Sequence, residues 1–222
     1  MSEAQHRIAS VRRHFLKHSR PLVALATVLG CAGTAKPRPA SVPASVTAPG
    51  RASGLDDELR RELVDDHAFP WAATRPLIWS DFQGSPPSDG PEGAKTAYSL
   101  SSIWKCRGTA FEFRVIAAFR ARQSWVKPAV LADDVQRRTV LGHEQTHFDL
   151  AEVHARRMRQ VFRDLVGPCG KTDAQLGGIV DRLAQEEKDE QRRYDAETNH
   201  GLFTPQQTAW TLETRRRLVA SR

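Results

Sequence analysis

The chain has 222 residues, 40% of them hydrophobic and 27% charged, which is enough apolar material for a core and excludes a disordered protein. Its formal charge of +7 would suit a nucleic-acid partner if the charge were gathered on one surface. It is not: Arg7, Arg12, Arg13, Lys17 and Arg20, opposed by Glu3, supply more than half of it before residue 31, and later Lys and Arg are interspersed with Asp and Glu, so no nucleic-acid partner is expected.

Residues 1–35 read as an export signal. Basic residues precede an apolar run from Pro21 to Leu29 that is too short to span a bilayer. Within the basic part, Arg12-Arg13-His14-Phe15-Leu16-Lys17 resembles a twin-arginine signal, with a chance arginine pair in a Sec-type signal as the alternative. Both routes leave the cytoplasm for the periplasm or cell envelope. Val28-Leu29-Gly30-Cys31 is lipobox-like and would make Cys31 the lipidated start of the mature chain, a membrane anchor; Leu29 departs from the usual small or β-branched residue. Cleavage after Ala35, behind the small residues Gly33 and Thr34, is the competing expectation. Without Cys31 the chain keeps Cys106 and Cys169, an even pair expected to form a disulfide in an oxidising compartment, the alternative being two separate buried thiols.

Residues 36–54 are rich in Pro, Ala, Ser and Gly and read as a tether, leaving 55–222 as the folded domain. Leu55, Leu59 and Leu63 allow a short helix. Strands are expected at Pro76–Phe82, Tyr98–Trp104 and Phe111–Arg122. The last alternates Phe111, Phe113, Val115, Ala117, Phe119 and Ala121 with charged residues, giving one buried and one largely wet face. Ser85 to Lys95 is a Pro/Gly-rich loop. After Pro128 the period becomes helical, with Asp133 as N-cap and Gln136 three residues on; this helix should run to about Leu165, where Gly167-Pro168-Cys169-Gly170 stops it. Thr172 or Asp173 caps a second helix ending near His200-Gly201, and a third follows Pro205. The expected fold is α+β: a small, mainly antiparallel sheet packed on a long antiparallel helical hairpin, zincin-like in that the hairpin carries the chemistry.

Inside the first long helix stands His143-Glu144-Gln145-Thr146-His147, an HExxH sequence. Residues four apart differ by about 40° around a helix, so both imidazoles can reach one ion at roughly 2.0 to 2.1 Å. The expected ion is Zn²⁺, and Glu144 projects beside it as a general base that takes a proton from water. Two unrelated surface histidines are the plain alternative. A hydrolytic zinc site needs a third protein ligand and an open position. In an antiparallel hairpin the residues level with the two histidines lie near Gln191 to Ala196, which makes His200 the first choice, since Gly201 lets the chain curl, and Asp195, Glu197 or Glu190 the alternatives. Asp195 could instead orient a ligand imidazole. His154 sits about 10.5 Å further along the helix and is expected to pack rather than ligate; Glu152 and Asp149 are expected at the surface.

His143 to Asp149, Tyr194 to Gly201 and, upstream, Arg75 to Phe82 resemble a bacterial family of predicted secreted zinc-dependent proteases long filed as a domain of unknown function. The resemblance covers about Arg75 to Trp210. It implies an envelope metallopeptidase acting on a peptide or protein substrate, and makes Tyr194 to Gly201 the partner of the HExxH helix. Trp79 and Trp210 match its aromatic positions and are expected to pack. The alternatives are a non-catalytic envelope protein with a structural zinc site and a zinc amidase acting on cell-wall peptides.

Overall fold

The computed structural model describes residues 7–11, 54–64 and 67–221, all within one unit. Apart from Arg7–Val11 and Gly54, the expected export signal, the Cys31 lipidation site and the tether lie outside these residues.

The elements in chain order are β1 (Arg7–Val11), α1 (Gly54–Val64), β2 (Ala68–Pro70), β3 (Ala94–Lys95), β4 (Tyr98–Arg107), β5 (Ala110–Arg120), β6 (Trp125–Val126), α2 (Pro128–Ala132), α3 (Asp134–Arg163), α4 (Asp173–Thr198) and α5 (Thr204–Ala220). The class is α+β. β2, β5 and β4 form an antiparallel sheet, with the backbone of β1 paired antiparallel along the outer edge of β4, and β3 pairs with β6 in a second, two-stranded sheet.

Register explains the layering. β4 and β5 pair Leu100 with Ala117 and Tyr98 with Phe119, so these residues share one face. That face meets Phe148, Ala151, Ala155 and Met158 of α3 and Leu183 and Ala184 of α4 in the main core. Each fully buried Phe or Met there contributes roughly 1.5–3 kcal/mol relative to exposure. The opposite face was expected to be largely wet, but α1 covers part of it: Leu55 and Leu59 pack on Ile103 and Ile116. The four-residue leucine spacing of α1 is thus a buried stripe.

The segment Pro76–Phe82, expected as a strand, is irregular and contains a 3₁₀ turn at Trp79–Asp81. Asp81 causes this, because its carboxylate accepts from the Ile78 amide at 3.0 Å and from Arg75 Nη2 at 2.8 Å, drawing the backbone into a turn instead of a ladder. The Leu77 amide donates to Gln145 Oε1 at 2.6 Å, which fastens this loop to α3. The short strand β2 was not anticipated.

Asp133 caps α3 by accepting from the Val135 and Gln136 amides. Its extended backbone separates α3 from the short α2, and α3 ends at Arg163. Thr172 caps α4 in a capping box with Gln175. A disulfide joins Cys106, near the end of β4, to Cys169 in the α3–α4 turn, with an S–S distance of 2.17 Å. Glu152, expected at the surface, is buried with 6% exposure; Arg156 and Arg159 donate to its Oε1 at 2.8 and 3.0 Å, and this pairing is what permits the burial. Asp149 is half-buried, its Oδ1 accepting from Trp71 Nε1 and Gln145 Nε2, each at 2.8 Å. No helix among the described residues is long and apolar enough to cross a membrane.

Candidate metal centre

α3 and α4 pack as an antiparallel hairpin, and their facing sides bring three potential ligand atoms together. The Nε2 atoms of His143 and His147 lie 3.1 Å apart, and Asp195 Oδ1 is 3.3 Å from the first and 2.8 Å from the second. Donors around a tetrahedral zinc ion at 2.0–2.1 Å stand about 3.3 Å from one another, so the spacing fits such an ion with small adjustment. Imidazole and carboxylate donors are also the kinds zinc takes. His143, His147 and Asp195 are the one such group among the described residues whose ligand atoms all lie within 4.8 Å.

The other expected ligands stand elsewhere. His200 is 62% exposed at its side chain, and its Nδ1 lies 3.8 Å from Asp195 Oδ1 but outside the trio. Glu197 accepts from Trp210 Nε1 at 2.8 Å, and Glu190 from His154 Nε2 at 2.6 Å. His154 itself is buried, as a packed histidine should be. Trp79 and Trp210 are each partly buried.

Glu144 is 4% exposed, and its Oε2 has no hydrogen-bond partner. A buried carboxylate oxygen without a donor is costly unless water, a substrate group or a nearby cation completes it. Glu144 directly follows His143 in α3, and its charge raises the pKa of both His147 and Tyr194. The Glu144 carbonyl accepts from Thr96 Oγ1 at 3.2 Å, linking the β3–β4 junction to this turn of α3.

Both rings are held from behind by glutamines. Gln191 donates through Nε2 to the His147 carbonyl at 3.0 Å, and a carbonyl can only accept, so Gln191 Oε1 faces His147 Nδ1 at 2.6 Å and takes its proton in a hydrogen bond. Gln207 Oε1 stands 3.0 Å from His143 Nδ1. With both Nδ1 atoms donating, it is the Nε2 atoms that face the trio, where His147 Nε2 hydrogen-bonds to Asp195 and zinc binding would displace that proton. Tyr194, fully buried, stacks on His143 at 4.7 Å between centroids and meets His147 edge-on at 4.8 Å. These supports were missed from sequence, although Gln191 and Asp195 sit four apart on the α4 face expected to lie level with the HExxH turn.

Charge follows the geometry. Burial alone lowers the His147 pKa, but the hydrogen bond and charge of Asp195, the charge of Glu144 and the contact with Gln191 outweigh it, and the net shift is upward from 6.5. Burial raises the Asp195 carboxyl, yet the two imidazoles hold it well below its ordinary value. Tyr194 is pushed above its usual value of 10.0, chiefly by burial, and stays protonated.

The chain turns sharply after α4. Asn199, His200 and Gly201 have φ of 46°, 54° and 86°, three successive left-handed residues. A Cβ on Gly201 would stand 3.1 Å from His143 Cβ and Cγ, so the missing side chain is what lets the turn close against the ring.

Residues 86–201, more than half of the chain, match the family of bacterial proteins of unknown function DUF922. The chain belongs to the DUF922 family. No curated protein and no solved structure matches it. The DUF922 match contains His143, Glu144, His147, Gln191, Tyr194 and Asp195 and ends at Gly201, so α5, which supplies Gln207, follows it.

Proposed function

We propose that this DUF922 protein is an exported zinc-dependent peptidase. Asp195 completes the ligand set begun by His143 and His147, and Glu144 is the general base. The observation that carries the reading is the convergence of three ligand atoms beside a buried carboxylate oxygen that lacks a donor. A bound zinc ion supplies Lewis-acid polarisation of a substrate carbonyl and lowers the pKa of a water toward about 7. Glu144 Oε2 would take a proton from the attacking water and hand it to the leaving amine. The trio is mostly covered: Asp195 retains 32% side-chain exposure and His147 13%, while the ligand oxygen Asp195 Oδ1 is itself buried. Export is supported by the basic and apolar pattern of residues 1–35 and by the Cys106–Cys169 disulfide, which suits an oxidising compartment; Cys31 is the proposed lipid attachment point.

The test is Glu144→Gln in the purified mature protein. Zinc content and fold should stay unchanged while hydrolysis of an unstructured protein substrate such as casein falls at least about a hundredfold, the scale of a lost general base. Folded wild-type protein that takes up no stoichiometric zinc would overturn the metal site. Zinc-loaded protein whose proteolysis matches that of Glu144→Gln would leave the ion a structural role.

A further inference from the structure

One oriented chain of hydrogen bonds runs behind His143 and reaches beyond the family-matched region. Its direction follows from which atoms can only accept. The Gly142 carbonyl accepts from Thr146 Oγ1 at 3.0 Å, which commits the Thr146 proton. Thr146 Oγ1 and Thr211 Oγ1 are 3.1 Å apart, so Thr211 must donate to Thr146. Its own proton spent, Thr211 Oγ1 accepts from Gln207 Nε2 at 3.1 Å. That contact turns the Gln207 carbonyl oxygen toward His143 Nδ1 at 3.0 Å and Tyr194 Oη at 2.8 Å, where it accepts. The last acceptor sets the tautomer of His143: Nδ1 carries the proton and Nε2 keeps its lone pair toward His147 Nε2 and Asp195 Oδ1.

We propose that Thr146, Thr211 and Gln207 form a positioning relay that fixes the His143 tautomer for metal binding, so that α5 is a working part of the metal centre. The proposal rests on the zinc-site reading above. It assigns a role to the second variable residue of the HExxH sequence, Thr146, and to two residues of a helix that follows the matched span 86–201. Gln145, the first variable residue, faces the other way and anchors the loop at Leu77. His147 has no such relay: Gln191 is oriented directly by the His147 carbonyl. The two imidazoles are therefore set by independent devices, one local to the α3–α4 hairpin and one dependent on α5.

The experiment uses Thr211→Val, which keeps the shape but removes the hydroxyl, and Thr211→Ser, which restores it. Imidazole ¹⁵N spectra of the metal-free protein read the tautomer, and chelator competition reads zinc affinity. Wild type and Thr211→Ser should show His143 with a protonated Nδ1 and a bare Nε2. Thr211→Val should gain the Nε2-protonated form and bind zinc about tenfold to a hundredfold more weakly, the usual scale for groups that orient a ligand. Gln207→Leu should behave as Thr211→Val does. Wild-type spectra and affinity in both Thr211→Val and Gln207→Leu would overturn the relay. Because the spectra are taken without metal, a protein that binds no zinc would sink the peptidase reading while leaving the tautomer result to judge the relay on its own.

Discussion

α3 and α4 carry two histidine–carboxylate clusters, and they differ in what partners the carboxylate. Seven residues beyond His147, about 10.5 Å along the helix, His154 Nε2 meets Glu190 Oε2 at 2.6 Å. Arg217 of α5 grips the same carboxylate with two guanidinium nitrogens at 2.8 and 3.0 Å, and Arg193 adds a third at 3.2 Å. Burial alone would raise the Glu190 carboxyl, but His154 and Arg217 draw it down to about 2. In the other cluster two imidazoles and a carboxylate converge, and the ionic partners of Asp195 among the described residues are all imidazoles. A cluster built with its own guanidinium is complete as protein, whereas one that gathers three metal-type donors beside Glu144 has room for an ion from outside. The same helix pair thus serves as a rigid bridge at one level and as a candidate metal centre at the next.

The contrast breaks most easily at the histidines. His147→Ala should weaken zinc binding by at least about a thousandfold, roughly 4 kcal/mol, because a three-ligand site is reduced to two. His154→Ala should leave zinc stoichiometry intact, and metal analysis after dialysis reads both. Equal zinc loss in the two variants would mean that the clusters are not distinct. A smaller effect, of opposite kind, is expected from Arg217→Met: zinc content preserved, stability in urea lowered by about 2–3 kcal/mol, since Glu190 is left half-buried with only His154 and the exposed Arg193 as partners. Its pH dependence has a defined sign. The Glu190 carboxyl is depressed from 4.5 to about 2 in the folded protein, so its contribution is complete above 4.5 and fades as pH falls toward 2. The gap between wild type and variant should close over that window, and a gap that held constant would assign the effect to packing.

The legible part of the sequence was whatever rests on period and caps. The HExxH spacing placed two rings on one face of α3, Asp133 and Thr172 marked the starts of the long helices, and the hairpin argument put the Gln191–Ala196 stretch level with them. What escaped depends on tertiary contact. Choosing among Asp195, His200, Glu190 and Glu197 required knowing which way each side chain leaves the end of α4, and with three left-handed residues there the His200 ring stays exposed and outside the trio. Pro76–Phe82 looked like a strand because its apolar residues hide the one side chain, Asp81, that captures the local backbone. Glu152 looked superficial because the two arginines that neutralise it are held by distant elements: Arg159 also donates to the Val115 carbonyl of β5, at 2.9 Å, and Arg156 to the Leu218 carbonyl of α5. Gln207 was invisible for a similar reason: an amide on a separate helix has no spacing signature.

The finest test of the metal-centre end of the hairpin comes from the glycines in its two turns. Gly201 and Gly167 both have positive φ, 86° and 58°, so alanine at either should cost about 1 kcal/mol in backbone strain. Their surroundings differ. A Cβ at Gly167 meets nothing within 4 Å, while one at Gly201 meets His143 Cβ and Cγ at 3.1 Å and Nδ1 at 3.2 Å. Gly167→Ala should therefore lower stability alone. Gly201→Ala should lower stability by about 1–2 kcal/mol and also weaken zinc binding by about tenfold, because the ring must shift to make room and its Nε2 moves with it. Denaturant unfolding matched to chelator competition separates the two terms. If both alanines cost the same stability and neither changes the affinity, the turn after α4 only closes the helix, and the approach of Gly201 to His143 has no part in holding the ring.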